Sequence, residues 1–395
     1  MVQYIEIMGE RLTWQSENQA KVPKQIEIVD DTLSTEQALR LVRNGTALLW
    51  QGDFIQAKQL LAAMGRRIEL GKNSRAKKSK LSSALPSPTH FLKSDSQSSA
   101  KSFHLYRLAQ SQKAQLLGML LIRVEADFTI HLRRAPDIQE AAAQVWSWQE
   151  PFVVSLRELL GVIGAYEWRK NGVLIPCLGK AAKIYPFYGV FSPIRGEYLD
   201  LVAEAPLPDK HHTAIEVGCG TGVLSAILAK RGVSQVIATD ISSRAVECAK
   251  FNMQQLGLEK QVTVLAQPFF PNTLADVIIC NPPWLPAKAT TSLESAVYDP
   301  QSGMLKGFLS GVAKHLNDGG EAWLIISNLA EILGLRSREE LLTWIQQTGL
   351  QVKARYDTTP KHKKVQDKTD PLSQARQQEV TSLWVLRHKP SISDN

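Results

Sequence analysis

Cysteine is scarce in this chain of 395 residues, and its four copies stand far apart, at Cys177, Cys219, Cys248 and Cys280. Because no Cys-x-x-Cys pair occurs, the spacing argues against a zinc site and against a disulfide framework. No apolar run approaches the length of about 20 residues that crosses a bilayer. The first ten residues also lack the basic start and apolar core of a secretory signal. We therefore expect a cytoplasmic protein that binds neither a metal nor a membrane.

Acidic residues are fewer than basic ones, 38 against 46, which gives a formal net charge of +8. Such an excess favours a polyanionic partner such as ribosomal or transfer RNA. The basic residues concentrate in two places: Lys72, Arg75, Lys77, Lys78 and Lys80 in the first, and Lys353, Arg355, Lys361, Lys363, Lys364 and Lys368 in the second. A charge run is as often a solvated segment as an RNA contact, so both interpretations stay open.

The composition divides the chain into four parts. Ser, Lys and Pro dominate residues 71–102, where large apolar residues are few, and we interpret this segment as a flexible linker or an exposed loop. It separates a mixed region at 1–70 from its continuation at 103–180, and a longer domain follows at 184–390. The N-terminal parts carry no recognisable chemical motif. A recognition role and a purely structural role are both open for this smaller mixed α/β domain.

The N-terminal pattern predicts only a few elements. Apolar residues at helical spacing over Thr35–Met64, interrupted by Asn-Gly and Gly-Asp pairs, predict two short helices. The apolar runs Leu116–Val124 and Phe128–Leu132 resemble a strand hairpin. Two further helical segments are expected, one over Asp137–Trp148 and one that begins at Pro151.

From about residue 184, short apolar strands alternate with helices. The predicted strands are Ala214–Val217, Gln235–Thr239, Val262–Leu265, Asp276–Cys280 and Ala322–Ser327, and the predicted helices are Leu224–Lys230, Arg244–Leu256, Gly303–Leu316 and Arg336–Gln347. Such alternation implies βαβ units and a parallel sheet covered by helices. Ligands of these sheets bind beyond the carboxyl ends of the strands, so the loops at those ends should share one rim.

The first of these strands ends in a loop that holds Gly218, Gly220 and Gly222, and a helix follows at once. Glycine lets the backbone approach a ligand closely, and the free amides of the helix start should face that ligand. A dinucleotide fingerprint needs a sixth-position glycine, where this chain has Val223, which disfavours a nicotinamide-dependent oxidoreductase. The G-x-G-x-G spacing resembles motif I of class I methyltransferases, which use S-adenosylmethionine as the methyl donor.

Asp240 ends the second strand, about 20 residues after the glycine loop. A carboxylate at this place can accept both hydroxyl hydrogens of a ribose, which S-adenosylmethionine carries, and a helix N-cap is the alternative. The resemblance to class I enzymes implies that Glu216 holds the amino-acid end of the donor. Relatives often place an Asp near the adenine after the third strand. This chain has Gln267 there for an amide contact and Phe269 for an apolar wall.

The fourth strand runs into the turn Asn281-Pro282-Pro283-Trp284. Two consecutive prolines remove two amide donors and leave their carbonyl oxygens able to accept hydrogen bonds. The Asn281 side-chain oxygen and the Pro282 carbonyl suit one NH2 group, and Trp284 can stack on a flat acceptor. A rigid turn with a buried tryptophan is the alternative. The turn resembles the N-P-P-(Y/F/W) motif of methyltransferases that modify amide or exocyclic amino nitrogens.

The segment Tyr188–Asp200 resembles the part that folds over the donor in two related groups. Val190-Phe191-Ser192 is similar to the bacterial ribosomal-RNA guanine-N2 methyltransferases. Pro193, Arg195 and Glu197 are closer to the P-R-x-E segment of the release-factor glutamine methyltransferases, and residues 294–300 are also loosely like that group. A structural lid without direct contact is the alternative for this flank.

The resemblance covers about residues 184–390. It implies a doubly wound, mostly parallel, seven-stranded Rossmann-like sheet whose last strand, Thr381–Leu386, is antiparallel. If Leu350–Tyr356 is the strand before it, the loop 358–379 rises on the active-site rim and brings its lysines beside the acceptor entrance. The first hypothesis is therefore N-methylation of a base amino group in ribosomal or transfer RNA, with Asn281, Pro282 and Trp284 at the transfer site.

Two other hypotheses stay open. In one, the same mechanism transfers the methyl group to a glutamine side chain of a protein. In the other, the domain is catalytically silent and serves for binding, although a silent domain has no need of Gly218, Asp240 and Asn281 together. A nucleophilic Cys219 is disfavoured, since no reactive environment can be read from the sequence. The sequence gives no oligomeric state.

Overall fold

The computed structural model describes residues 3–78, 96–147, 150–194, 196–289, 293–360 and 372–389. By its contacts the chain divides into two compact units, one with residues up to 85 and 103–167, the other with residues 86–102 and the chain from 168 onward. Helix α5 (Leu156–Asn171) runs through this boundary. Within the described ranges, no helix combines the length and the apolar character that a bilayer crossing requires.

The N-terminal unit is built on a six-stranded mixed sheet with the order β1-β2-β6-β5-β4-β3. Its strands are β1 (Gln3–Ile7), β2 (Glu10–Gln15), β3 (Gln25–Val29), β4 (Thr46–Trp50), β5 (Leu120–Val124) and β6 (Phe152–Ser155). The consecutive strands β3, β4 and β5 pair in parallel, and β6 is antiparallel to β5. The helices described before α5 are α1 (Thr35–Arg43), α2 (Phe54–Lys78), α3 (Ser96–Leu117) and α4 (Gln139–Ala143).

The two helices predicted over Thr35–Met64 are found as α1 and α2, but two strands of this unit were missed. The break predicted between two short helices contains strand β4, whose residues from Ala47 to Trp50 are all buried. A run that is buried on both faces suits a central parallel strand rather than a turn. The segment predicted to become helical at Pro151 first forms strand β6, and the helix begins at Leu156.

The predicted hairpin is wrong in its second half. Phe128 adopts a left-handed backbone conformation with φ of +63°, and the Glu125 amide donates to the Thr129 carbonyl at 2.9 Å. The chain therefore turns there, and Phe128–Leu132 is not a strand. The helix predicted over Asp137–Trp148 is reduced to the five residues of α4. The predicted linker 71–102 is shorter than expected, since α2 and α3 enter it from both ends, and residues 79–95 lie outside the described ones.

Acidic residues follow the parallel strands of the N-terminal unit, and two consecutive arginines meet them. Arg134 forms a two-point ion pair with Asp53, with nitrogen–oxygen distances of 2.7 and 2.9 Å. Arg133 pairs with Asp31, which also accepts the Asp53 amide at 2.8 Å. These pairs occupy the edge of the sheet at which the strands β3 and β4 end.

The C-terminal unit holds a seven-stranded sheet with the order β11-β10-β9-β12-β13-β15-β14. Its strands are β9 (Thr213–Val217), β10 (Gln235–Asp240), β11 (Val262–Ala266), β12 (Ala275–Cys280), β13 (Leu316–Ser327), β14 (Leu350–Thr358) and β15 (Thr381–His388), and a small pair, β7 (Val173–Leu174) and β8 (Lys183–Ile184), precedes them. Only β15 runs against its neighbours. The predicted doubly wound, mostly parallel sheet is confirmed.

Helices cover both faces of this sheet. The helices are α6 (Glu197–Glu204), α7 (Val223–Lys230), α8 (Ser243–Leu256), α9 (Gly303–Val312), α10 (Leu329–Ile332), α11 (Arg338–Gln347) and α12 (Ser373–Gln377). Strand β12 is buried throughout: Val277 and Ile279 join the core on one face, and Ile278 and Cys280 join the core on the other. The first of these cores also contains Ile175 and Leu178, which precede the sheet in the chain.

Candidate active site

The strand order of the C-terminal sheet reverses between β9 and β12. From β9 the chain moves outward through β10 to β11, and it then returns to place β12 in parallel on the other side of β9. Loops at such a reversal diverge and leave a crevice beyond the carboxyl ends of the strands. A cavity of about 800 Å³ lies there, lined by the glycine loop, by Asp240 and by the turn that begins at Asn281.

The glycine loop reaches this cavity through Gly218 and Gly220, whose φ values are +73° and +53°. A Cβ atom at Gly218 would stand 2.4 Å from the terminal methyl group of Met304, so the flexible end of Met304 would have to move to admit a side chain. Gly222 does not line the cavity. It precedes α7 in a left-handed conformation, and a Cβ atom there would come within 3.1 Å of Met253. Gly222 thus serves the packing of α7 on α8.

Most amides of the loop are already used inside the protein. Gly218 and Cys219 both donate to the Thr239 carbonyl at 2.9 Å, and Gly222 donates to Cys219 at 2.7 Å. The Gly220 amide donates to the Asp240 carboxylate at 3.0 Å. The expectation of free amides concerned the start of α7. There the Gly222 and Ser225 amides are used within the protein, and for the others the expectation stays a prediction.

Asp240 stands at the end of β10 with its carboxylate held by two backbone amides. One oxygen accepts from Gly220 and the other from Ser242, at 3.0 and 2.9 Å. The N-cap of α8 is Ser242, whose hydroxyl accepts from the Ala245 amide. Asp240 is therefore not the helix cap. Each carboxylate oxygen can accept two hydrogen bonds, so both keep an acceptor position for hydroxyl groups in the cavity.

Glu216 lies under the glycine loop and is almost completely buried, yet it lines the cavity. Its carboxyl group accepts hydrogen bonds from the Ser225 amide, at 2.8 Å, and from the Ser225 hydroxyl. Burial raises the pKa of Glu216 to about 8, because the two neutral donors compensate only part of the lost hydration. A cation bound beside Glu216 would favour its ionised form.

The predicted adenine contacts, Gln267 and Phe269, both line the cavity. The Gln267 amide donates to the Asp240 carbonyl at 3.0 Å, which fixes this loop to the end of β10. The Phe269 ring lies against Gly307 of α9, where a Cβ atom would stand 2.3 Å from the ring. The sequence reasoning missed Ile241, which also lines the cavity although 82% of it is exposed. The signal available in the sequence was an apolar residue directly after the acidic residue that ends β10.

The turn Asn281-Pro282-Pro283-Trp284 follows β12, and all four residues line the cavity. The Trp284 indole N–H donates to the Asn281 side-chain oxygen at 2.9 Å. After the turn, the Leu285 amide donates to the Val297 carbonyl and the Leu285 carbonyl accepts from Asp299, at 3.1 and 2.8 Å. These bonds hold the turn against residues 297–299. The structure thus brings the glycine loop and this turn to one cavity.

The far wall of the cavity contains Leu329, Arg376 and Glu379, which the sequence reasoning did not single out. Glu379 is almost fully buried and accepts from the Ser327 hydroxyl at 2.7 Å. Arg376 and Glu379 belong to the segment 358–379, so the end of that loop reaches the rim. They could not be found from sequence, because nothing in a single sequence marks which residues of a long loop return to the sheet.

The basic concentrations give less free charge than the composition suggests. Lys353 pairs with the buried Glu321 at 2.5 Å, and Arg355 pairs with Asp357 at 2.7 Å. The lysines at 361, 363, 364 and 368 lie outside the described residues, and so does Lys80. The side chains of Lys72, Arg75, Lys77 and Lys78 are not described either.

The flank before the glycine loop contributes Gly189, Val190, Phe191 and Tyr198 to the cavity, and Arg195 lies outside the described residues. The buried Asn252 side chain of α8 ties this flank to the loop. It accepts the Tyr185 amide at 2.8 Å and donates to the Thr221 carbonyl at 3.1 Å.

Cys219 of the glycine loop lines the cavity but is buried. Burial raises the pKa of its thiol well above its usual range. A thiol with a raised pKa carries little thiolate, which is the nucleophilic form, so this environment opposes a covalent role for Cys219.

Residues 189–335 match the methyltransferase small domain family. This range includes the glycine loop, Asp240 and the Asn-Pro-Pro-Trp turn. Within the C-terminal unit, the sequence is thus similar to that of a methyltransferase domain. The resemblance found from the two motifs is thereby confirmed, and S-adenosylmethionine is the cofactor that it implies. The N-terminal unit lies outside the match.

Curated relatives match parts of this chain. The release factor glutamine methyltransferase of Rhodopirellula baltica is 31% identical over 29% of this chain and 44% of that protein. The ribosomal RNA small subunit methyltransferase C of Enterobacter sp. is 33% identical over 30% of this chain and 32% of that protein. A ribosomal protein uL3 glutamine methyltransferase of Neisseria meningitidis is 26% identical over 62% of this chain and 78% of that protein. This chain spans less than half the length of the first two relatives.

Solved structures match about half of this chain. The ribosomal protein L11 methylase from Lactobacillus delbrueckii subsp. bulgaricus covers 51% of this chain and 81% of its own, with 17% identity and a TM-score of 0.35. This score is too low to support an argument about the site.

The residues at the cavity fit S-adenosylmethionine. The Asp240 carboxylate retains acceptor positions for ribose hydroxyls, Ile241 and Phe269 offer apolar surface, and the buried Glu216 suits a cationic group. Gly218 places no side chain where the loop lines the cavity. One cavity is thus lined both by Asp240 and the glycine loop and by Asn281 and Trp284.

Proposed function

We propose that this protein transfers a methyl group from S-adenosylmethionine to a planar amino nitrogen. The observation that carries the proposal is the single cavity that joins Asp240 and the glycine loop, on the donor side, to the Asn281 turn. When bound, S-adenosylmethionine supplies an electrophilic methyl group on a sulfonium. The residues of the chain bind the donor, orient the nitrogen and exclude water.

The turn suits a nitrogen that is a poor nucleophile. The lone pair of an amide or aryl amine is delocalised, so the nitrogen reacts only if it is held well and its charge is stabilised. The Asn281 side-chain oxygen and the Pro282 carbonyl can accept the two N–H hydrogens, which aims the lone pair at the donor. A general base is not strictly required, because the proton becomes acidic once the methyl group is transferred.

The acceptor that we propose first is a base amino group of ribosomal or transfer RNA, methylated in the cytoplasm. The net charge of +8 favours a polyanionic partner, and Trp284 at the cavity provides a ring on which a base can stack. The ribosomal RNA relative supports this acceptor.

A glutamine side chain of a ribosomal or release-factor protein is the second candidate. The relatives that act on release factors and on protein uL3 favour it, since their names give glutamine as the acceptor. The turn would hold a primary amide in the same way as an aryl amine, because both present one NH2 group.

Incubation with radiolabelled donor separates the two acceptors. The protein is added to an extract of cells that lack it, and the labelled products are treated with RNase or with protease. Label that RNase removes supports the RNA acceptor, and label that protease removes supports the glutamine. If neither the extract nor intact ribosomes take up label, the proposed activity is wrong. Steep weakening of acceptor binding with salt would further support RNA.

A further inference from the structure

The Asn281 amide is held by a neighbour that the motif does not require. The Trp284 indole N–H donates to the Asn281 side-chain oxygen at 2.9 Å, and both side chains line the cavity. An asparagine oxygen in a turn usually accepts the backbone N–H two residues later. That residue is Pro283, which has no N–H. The indole therefore supplies the hydrogen bond that the proline pair removes.

This bond decides which end of the amide faces the acceptor. The terminal torsion of asparagine is broad and nearly two-fold, so an amide without a partner can present either its oxygen or its NH2 group. The NH2 group would repel the N–H hydrogens of an acceptor nitrogen. An oxygen accepts two hydrogen bonds, so with one taken by Trp284 the second is left for the acceptor.

The indole is itself fixed in place. Trp284 is half-buried and packs against the apolar cores on both faces of the sheet. The backbone after it is tied down by the Leu285 amide, which donates to the Val297 carbonyl at 3.1 Å. A hydrogen-bond donor that is fixed in place holds its partner oxygen more strongly than a flexible one, because less entropy is lost when the hydrogen bond forms.

We propose that Trp284 is a positioning residue whose indole N–H holds the Asn281 oxygen toward the acceptor nitrogen. The proposal rests on the proposed function, since the orientation matters only if Asn281 binds an NH2 group. It gives tryptophan a task at this position that phenylalanine, with a ring but no N–H, cannot perform. Stacking on the acceptor is a separate role that any of the aromatic residues could have.

The hydrogen bond can be tested without any acceptor, by recording the indole signals of the nine tryptophans in ¹H–¹⁵N spectra of the full chain. Trp284→Phe identifies the Trp284 signal by its loss. In Asn281→Leu, which has a similar shape but no acceptor, that signal should move toward the shift of a solvent-exposed indole. The Trp323 indole, which donates to Glu321 at 3.0 Å in the sheet, is the matched control and should not move. A Trp284 signal unchanged in Asn281→Leu would overturn the proposal.

The kinetic test compares Trp284→Phe with the wild type on the acceptor found with labelled donor. We expect kcat to fall roughly 5- to 10-fold, the effect of about one net hydrogen bond, while the donor affinity and the acceptor KM change little. Trp168→Phe, at an exposed position of α5, should keep the wild-type kcat. A raised KM at unchanged kcat would mean that Trp284 only stacks, and would overturn the positioning role. If the wild type transfers no methyl group, the proposed function fails, whereas the spectra still decide the hydrogen bond.

Discussion

The two units of this protein both contain consecutive parallel strands that end in acidic residues, but they use these ends differently. In the N-terminal unit, Asp53 forms a two-point ion pair with Arg134, and Asp31 pairs with Arg133. In the C-terminal unit, Asp240 accepts only backbone amides and borders an open cavity. A parallel sheet with carboxylates at one edge is therefore not by itself a binding site.

The strand order explains the difference. From β3 to β6 the chain of the N-terminal unit moves across its sheet in one direction, so neighbouring loops follow one another closely. In the C-terminal sheet the direction reverses between β9 and β12, and the loops on either side move apart. The crevice forms where the strand order reverses. Where no reversal occurs, side chains such as Asp53 and Arg134 can meet and fill the edge.

The largest effect is expected for Asn281→Ala. This change removes the side-chain oxygen that would hold the nitrogen to be methylated. We expect kcat to fall about 100- to 1000-fold, as for the loss of one preorganised hydrogen-bonding group in other enzymes. Donor affinity, measured by calorimetry, should be nearly unchanged. Asn317→Ala is the control, because its side chain bonds Asp276 at the opposite end of β12, 2.7 Å away. Normal transfer by Asn281→Ala would contradict the mechanism.

The comparison between the two acidic edges can be made directly with Asp240→Ala and Asp53→Ala. Loss of the Asp240 carboxylate should weaken donor binding about 10- to 100-fold, since hydrogen bonds to a charged group are involved. Asp53→Ala should leave donor binding unchanged and lower the melting temperature by roughly 2–4 °C, because Asp53 accepts the Ile55 and Gln56 amides at the start of α2. Equal donor affinities in the two variants would exclude Asp240 from the donor site.

A matched pair of glycines tests the close approach at the cavity. Gly218 and Gly45 both have positive φ, +73° and +89°, so alanine at either should cost about 1–2 kcal/mol in folding free energy. Only at Gly218 would the new Cβ atom meet a neighbour, the Met304 methyl group. We expect Gly218→Ala to weaken donor binding about tenfold beyond the effect of Gly45→Ala, which should have none. Calorimetric titration and thermal unfolding of both variants measure the two terms. Similar donor affinities of Gly218→Ala and Gly45→Ala would show that the glycine loop can accept a side chain at position 218 without loss of donor binding.

The last prediction is a pH dependence of stability that comes from Glu216. Its pKa is raised from an ordinary 4.5 to about 8 in the folded protein, so the folded state holds the proton more tightly than the unfolded state. Stability from this group is complete below about pH 4.5 and is lost as the pH rises toward 8, by at most about 1.4 kcal/mol per pH unit. Glu216→Gln should therefore be more stable than the wild type at pH 8 and similar to it at pH 5. If the stabilities of Glu216→Gln and the wild type differed by the same amount at pH 5 and at pH 8, this would argue against a buried neutral carboxyl group at Glu216.

Local sequence pattern was enough to predict most of the C-terminal sheet. The strands β9, β10 and β12 are buried apolar runs with clear turn signals after them, and all three were predicted within one residue at each end. Strand β13 starts at Leu316, six residues before the predicted Ala322. The glycines at 319 and 320 hid its first half, since glycine usually indicates a turn.

The N-terminal unit was predicted less well because its short strands resemble other structures. Strand β4 has five residues between an Asn-Gly and a Gly-Asp pair, and a short apolar run cannot be distinguished from part of a helix by periodicity alone. The pair Asp53–Arg134 joins positions 81 residues apart. No local pattern reports such a contact.

For the site, sequence indicated the residue types but not their mutual contacts. Asp240 and Asn281 were placed on one rim by the order of strands, whereas the bond between Trp284 and Asn281 and the return of Glu379 to the cavity depend on side-chain geometry. Gly222 was assigned to the donor by spacing, although its contacts are with α8. Spacing thus located the loop without showing which glycine faces the cavity.

A shortened chain that starts at residue 184 would lack Ile175 and Leu178, which are buried in one core of the C-terminal sheet. Their absence would leave part of that core open to water, and a fragment of this kind would be prone to aggregate. A fragment that begins at Trp168, where the contacts of α5 pass to the second unit, keeps both side chains. Limited proteolysis should therefore leave a resistant C-terminal piece whose first residue precedes Ile175.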